Sequence, residues 1–212
     1  CESSALIVRT RIPWFTLLGA ALAVTLACLP HAVKWLEFDR ERIPTGEIWR
    51  LCTAHFVHWN TEHAAWNVAG WLVPGSVLEY QSRAIFAFTV IGAVVAISAG
   101  LFVFDPLLVW FRGLSGVDAA LTSAVLLVLL RRAWNLRLRW ASVLVGAGLI
   151  GFATKLIIEC ATGKSMVVAA SGEFAPVPLA HVLGAIAGVT ISLAAMLKWR
   201  DQLRLCRSSE AR

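Results

Sequence analysis

The sequence predicts an all-α membrane protein, a bundle of six transmembrane helices with a folded interfacial loop between the first two. Three observations carry this. Of its 212 residues, 58% are hydrophobic and mean hydropathy is +0.73, too apolar for a water-soluble domain. The apolar residues fall into separate runs of about the length that crosses a hydrocarbon core roughly 30 Å thick. Trp14, Trp35, Trp110, Trp134, Trp140 and Trp199 stand near the ends of those runs, where indole rings settle among lipid headgroups. The net charge of +6 sits in short connections and in the C-terminal tail, as a membrane topology produces, and does not form a nucleic-acid surface. Residues 1–212 read as one domain.

In chain order, the first span covers about 12–33, opening at Pro13, where a fixed φ suits a helix start. Its apolar run lacks a small-residue cleavage site and reads as a permanent anchor. Residues 34–60 are too charged to cross and too aromatic for a plain linker, hence a folded loop at the interface. The second span, about 63–80, carries His63, Trp66 and Asn67 on one side, a side that should face protein. The third, about 83–104, is uninterrupted. The fourth, about 115–130, is short enough that its start should lie below the membrane surface, submerging Ser115. Arg131, Arg132, Arg137 and Arg139 fill the next connection, and spans at about 140–160 and 179–197 complete the bundle. Lys and Arg favour the inner side when both termini are placed there, so loops 34–60 and 161–178 and the loop before Ser115 open outward together.

The chemistry gathers in three places. Gly113-Leu114-Ser115-Gly116 opens the fourth span, where glycines permit close backbone approach and free N–H groups at a helix start can hold a developing oxyanion. Ser115 is the candidate nucleophile. His63 and Asn67 lie one helical turn apart, and suit either an oxyanion hole or an interhelical hydrogen bond. His181, Gly184 and Gly188 form one stripe, either a packing motif with a satisfied core histidine or a general base beside a closely packed neighbour. Asp118, one turn from Ser115, either orients that histidine or serves its own helix and bundle. A competing reading takes Cys52, His55, His58, His63 and His181 as metal ligands, but it lacks a paired helical spacing and leaves the serine element idle. The preferred reading needs no metal and no cofactor. Cys1, Cys28, Cys52, Cys160 and Cys206 are odd in number and irregular in spacing, and imply no disulfide framework.

Taken together, these motifs resemble the rhomboid family of intramembrane serine proteases. Its Trp-Arg loop motif stands as Trp49-Arg50, its His-x-x-x-Asn as His63 and Asn67, its Gly-x-Ser-Gly as Gly113 to Gly116, and its Ala-His-x-x-Gly-x-x-x-Gly as Ala180 to Gly188, in order over about residues 45–190. The resemblance implies a rhomboid-like six-helix bundle in which Ser115 is nucleophile, His181 general base, and His63, Asn67 and the Ser115 N–H the oxyanion hole. His58 and Glu79 fall at positions with structural roles in that family. Many relatives carry a tyrosine four residues after the serine, stacked on the base; here that position is Ala119. The compact form, the string Arg112 to Val117 and the missing tyrosine resemble the rhombosortases, which process proteins ending in a Gly-Gly motif, a transmembrane stretch and a basic tail.

The resemblance therefore implies an endopeptidase of a bacterial inner membrane. Both termini would be cytoplasmic, the site would open to the outer side, water would enter below loops 34–60 and 161–178, and the partners would be single-span membrane substrates. Two alternatives stand beside it. One is a rhomboid-like protein that binds membrane segments without cutting, which predicts loss of Ser115 or His181, yet both are present. The other is the metal-dependent membrane enzyme.

Overall fold

Two prolines delimit the first helix. In the computed structural model, which describes residues 12–164 and 176–210, helix α1 runs Trp14–Ala27 after Pro13. It stops before the expected end near residue 33. Leu29, with φ −119° and ψ 71°, stands outside the helical region, and Pro30 starts a separate seven-residue helix, α2 (Pro30–Leu36). The proline ring removes an N–H and disfavours helical geometry in the residue before it, which breaks the run. At about 1.5 Å per residue, the 14-residue α1 is about 21 Å long.

The following segment is folded rather than extended. A short strand β1 (Phe38–Asp39), a 3₁₀ turn at Ile43–Thr45, helix α3 (Arg50–Thr53) and a second 3₁₀ turn at Ala54–Phe56 lead into the long helices. These are α4 (Thr61–Gln81), α5 (Arg83–Phe104), α6 (Ser115–Asn135), α7 (Arg139–Thr162) and α8 (Pro178–Glu210). A second strand, β2 (Trp110–Phe111), precedes α6 and pairs antiparallel with β1, Phe38 opposite Phe111 and Asp39 opposite Trp110. Sequence periodicity gives no sign of this ribbon. Helix α6 continues beyond the expected 130 through Arg131 and Arg132, and α8 continues beyond 197 into the basic tail. The expected loop 161–178 falls largely at 165–175, outside the described residues.

Among the described residues, Arg83–Phe104, Arg139–Thr162 and Pro178–Lys198 are long and apolar enough to cross a membrane, and α1 is a shorter apolar helix. α6 is the centre of the fold: it packs against α4, α5, α7 and α8 and buries residues all round, from Gly116 through Val128. α7 lies at the other extreme, with Glu159 its one buried residue; Val143, Leu144, Ile150 and Ile157 stand outward, as lipid-facing residues do.

The α6–α8 seam is made by small residues. A Cβ on Gly184 would overlap the Gly116 carbonyl, and one on Gly188 would overlap the Ala120 carbonyl, so the two backbones touch where any side chain would part them. Ser123 Oγ bridges the same seam, donating toward Ala120 O at 3.0 Å and Ala185 O at 3.1 Å. Substituting Gly184 by valine should therefore force the helices apart and lower the apparent melting temperature in detergent by about 3–10 °C, as overpacking costs of about 1–3 kcal/mol imply. Gly146→Val on α7, where nothing lies within 4 Å, should leave it nearly unchanged. Equal melting temperatures for the two variants would contradict the seam's importance.

Candidate active site

The position of Ser115 follows from the loop that delivers it. From β2 the chain passes through Arg112 and Gly113 into α6. Arg112 is fixed by Glu37, whose Oε2 accepts from Nε and from the terminal nitrogen at 2.6 Å each, and its guanidinium lies 4.1 Å from the Trp59 ring centroid. Gly113 has φ +123°, a backbone conformation that favours glycine, and its N–H donates to Ala54 O at 3.0 Å. A Cβ there would stand 2.7 Å from His63 Cε1 and 3.1 Å from Asn67 Nδ2. The loop thus lies directly on those two side chains. Ser115 is the first residue of α6, and the first intrahelical bond after it is made by Asp118 N–H to Leu114 O at 2.8 Å. The N–H groups of Ser115, Gly116 and Val117 precede that bond, and a helix start favours negative charge.

His63 and Asn67 are held by α4, whose N-cap Asn60 accepts from His63 N–H at 2.8 Å. Both side chains are buried. Among the described residues the buried Asn67 Nδ2 has no hydrogen-bond partner, a donor left open beside Gly113. Such a group is costly to leave unmade unless a ligand uses it.

His181 lies in the first turn of α8, directly after Ala180, whose carbonyl faces Gly116. The residues flanking the serine and the histidine are therefore in contact across the α6–α8 seam. Ser115, His181, His63 and Asn67 together line one cavity of about 330 Å³, with Asp118, Lys155 and Glu159 also on its wall. No hydrogen bond joins Ser115 to His181 among the described residues. His181 Nδ1 is instead taken by Glu159, with Nδ1 to Oε2 at 2.8 Å, and Lys155 Nζ donates to the same oxygen at 2.7 Å. Nδ1 being so engaged, Nε2 is the nitrogen left for a reacting proton.

Asp118 is bonded neither to His181 nor to its own helix start among the described residues. Among the described residues no side chain caps α6, and the buried Asp118 Oδ1 has no hydrogen-bond partner. Its carboxylate lies over Gly70 of α4. The residue on the histidine is Glu159, which motif reasoning missed. The available signal was a carboxylate near the end of an apolar run with Lys155 four residues earlier, since charge inside a span is costly and rarely idle.

Ser115, His181, His63 and Asn67 all fall within the stretch, residues 45–198, that matches a family model described as Rhomboid domain. The chain belongs to the rhomboid family. With its apolar helices, this makes it an all-α, multi-pass membrane protein. It is similar to the Rhomboid protease GlpG of Salmonella newport (strain SL254) and of Salmonella typhimurium (strain LT2), 29% identical over 119 residues in each case. That of Salmonella paratyphi A is 28% identical. The match covers 54% of this chain and 42% of those relatives, so the chain spans less than half their length.

The motif residues Arg50, Trp49 and Glu79 lie outside the cavity lining and tie separate segments together by hydrogen bonds. Arg50 is fully buried and donates to Lys34 O and Glu37 O at 2.9 Å each and to Glu47 Oε2 at 2.7 Å, pinning the segment before α3. Trp49 Nε1 donates to Trp35 O at 3.1 Å. Glu79 on α4 receives the Thr16 N–H and hydroxyl at 2.9 Å each and the Phe15 N–H at 3.3 Å, so its carboxylate caps the start of α1. Among the described residues no three His, Cys, Asp or Glu side chains gather as metal ligands would; Cys52 is exposed, and His55 Nε2 meets Ser98 Oγ at 3.1 Å.

His55 and His58, in the turn before α4, are buried neutral. Burial lowers His55 from 6.5 to about 4. Burial, then the neighbouring His63, lowers His58 from 6.5 to about 3. The unfolded chain therefore binds more protons than the folded one between those values and 6.5, and stability falls as pH drops through that window. The apparent melting temperature should decline from pH 7 to pH 4, and His55→Gln with His58→Gln should flatten the decline. A melting temperature that holds or rises on acidification would contradict this.

Proposed function

We propose that the chain is an intramembrane serine endopeptidase, and the observation that carries this is the single cavity shared by Ser115, His181, His63 and Asn67. Ser115 Oγ attacks the scissile carbonyl while His181 Nε2 takes its proton. The carbonyl's π pair moves to oxygen, where the Asn67 amide, the His63 ring and the Ser115 N–H hold the charge. Collapse breaks the C–N bond, the proton passes from Nε2 to the leaving nitrogen, and water then hydrolyses the acyl-serine by the same route. A cavity sunk beside lipid-exposed helices suits substrates that arrive within the bilayer.

The proposal extends to topology and substrate. Six crossings in a bacterial inner membrane, with both termini cytoplasmic and the site open to the outer side, satisfy the distribution of Lys and Arg. Ala119, in place of a stacking tyrosine, and the string Arg112 to Val117 favour the rhombosortase reading, with substrates ending in a Gly-Gly motif, a transmembrane stretch and a basic tail.

Ser115→Ala and His181→Ala should each abolish cleavage of a single-span substrate in proteoliposomes, and the double variant should lose little more than either. Asn67→Ala should lower kcat by about 10²–10³-fold, as loss of one oxyanion donor does, with KM changed much less. Full cleavage by Ser115→Ala would overturn the protease reading. A substrate bearing Gly-Gly before its transmembrane stretch should be cut faster than the same substrate with the glycines replaced; equal rates would remove the rhombosortase assignment and leave the protease.

A further inference from the structure

Helix α7 presents a paradox that only the active site resolves. Its flanks are exposed and apolar, yet its one buried residue is the carboxylate Glu159, 1% exposed. A charged side chain near lipid is retained only where it is paired or used. Its partners include Lys155 on its own helix and His181 on the next. Phe152, Lys155 and Glu159, at helical spacings of three and four, form the stripe by which α7 lines the cavity.

We infer that Glu159 is a positioning residue for the proposed reaction, holding His181 in the tautomer and orientation that put Nε2 toward Ser115, and that Lys155 holds Glu159 in turn. The inference rests on the protease reading. When Oγ forms its bond to the substrate carbon, the serine proton goes to Nε2 and the ring becomes an imidazolium. The proton already on Nδ1 stays there, in its hydrogen bond to Glu159 Oε2, and the carboxylate faces the new positive charge. Lys155 Nζ, donating to the same oxygen at 2.7 Å, holds that carboxylate in place. The arrangement supplies from α7 the restraint that a stacking aromatic at position 119 of α6 would otherwise give; Ala119 has no ring to supply it. Asp118, also on the cavity wall, lies over Gly70 and not on the histidine.

The test measures kcat and KM for cleavage of a single-span substrate by the full chain in proteoliposomes, per folded molecule. Glu159→Ala should lower kcat by roughly 10- to 10³-fold with KM within about twofold, and Glu159→Gln, which can still accept from Nδ1–H, should recover part of the loss. Lys155→Met should cost less. If Glu159→Ala fails to fold because Lys155 is left unpaired, Lys155→Met with Glu159→Ala removes both charges and serves in its place. That double variant should be as slow as Glu159→Ala alone, since Lys155 acts through Glu159. A double variant with the wild-type kcat, or a loss confined to KM or to melting temperature, would overturn the inference. Cleavage by wild type but not by Ser115→Ala would then leave the protease reading standing, whereas no Ser115-dependent cleavage at all would remove both.

Discussion

The contact on which the molecule depends is the touching of two helix backbones, Gly116 against Gly184 and Ala120 against Gly188. In a lipid environment apolar burial gives little drive to bring helices together, so close packing of small residues and the hydrogen bonds it permits carry the association. The other face of α8 is built to match: Leu183 and Ile191 lie over Gly100 and Gly92 of α5. α8 is thus seated in a groove made by two neighbours. Because Ser115 and His181 are each the next residue to a contact point, their separation is set by backbone geometry rather than by flexible side chains. A residue pair positioned in this way is rigid before any substrate arrives, which is where proximity effects in catalysis originate.

A second layer of constraint acts at the end of the bundle where the serine lies. Arginines fold the polar segment by collecting carbonyls that secondary structure leaves over. Arg50 gathers Lys34 O and Glu37 O. Arg40 gathers Leu101 O, Phe102 O, Asp105 O and Leu108 O at 2.7–2.9 Å, closing the end of α5. Arg112 joins this segment to the serine loop through Glu37. The two-residue ribbon of β1 and β2 completes the tie. The loop is thereby held against α4 with Gly113 pressed onto His63 and Asn67, and the open Asn67 amide faces the cavity that the serine shares.

Much of this was legible in the residues. The apolar runs located the long helices, and the glycines of the α8 stripe pointed to a close neighbour beside His181. The spacing of His63 and Asn67 placed both on one face of α4. What escaped was set by contacts distant in sequence. Pro30 broke the first run, because a proline cannot continue a helix even where every neighbour is apolar. The ribbon is too short for an alternating pattern to reveal, and pairs residues 38–39 with 110–111. Glu159 escaped because its meaning comes from His181, 22 positions away. Local spacing identifies which residues share a helix face, while the partner across a helix interface is decided by packing.

In the proposed reaction the α6–α8 seam sets Ser115 beside its base at the start of a helix. The most direct measurement is covalent capture. The full chain in proteoliposomes is treated with a fluorophosphonate and its adduct mapped by peptide mass spectrometry, for wild type and for His181→Ala. An adduct is expected on Ser115 in wild type, at a rate that falls by orders of magnitude when His181 is removed. Labelling of Ser115 at the same rate in both proteins, or an adduct confined to other serines, would contradict it.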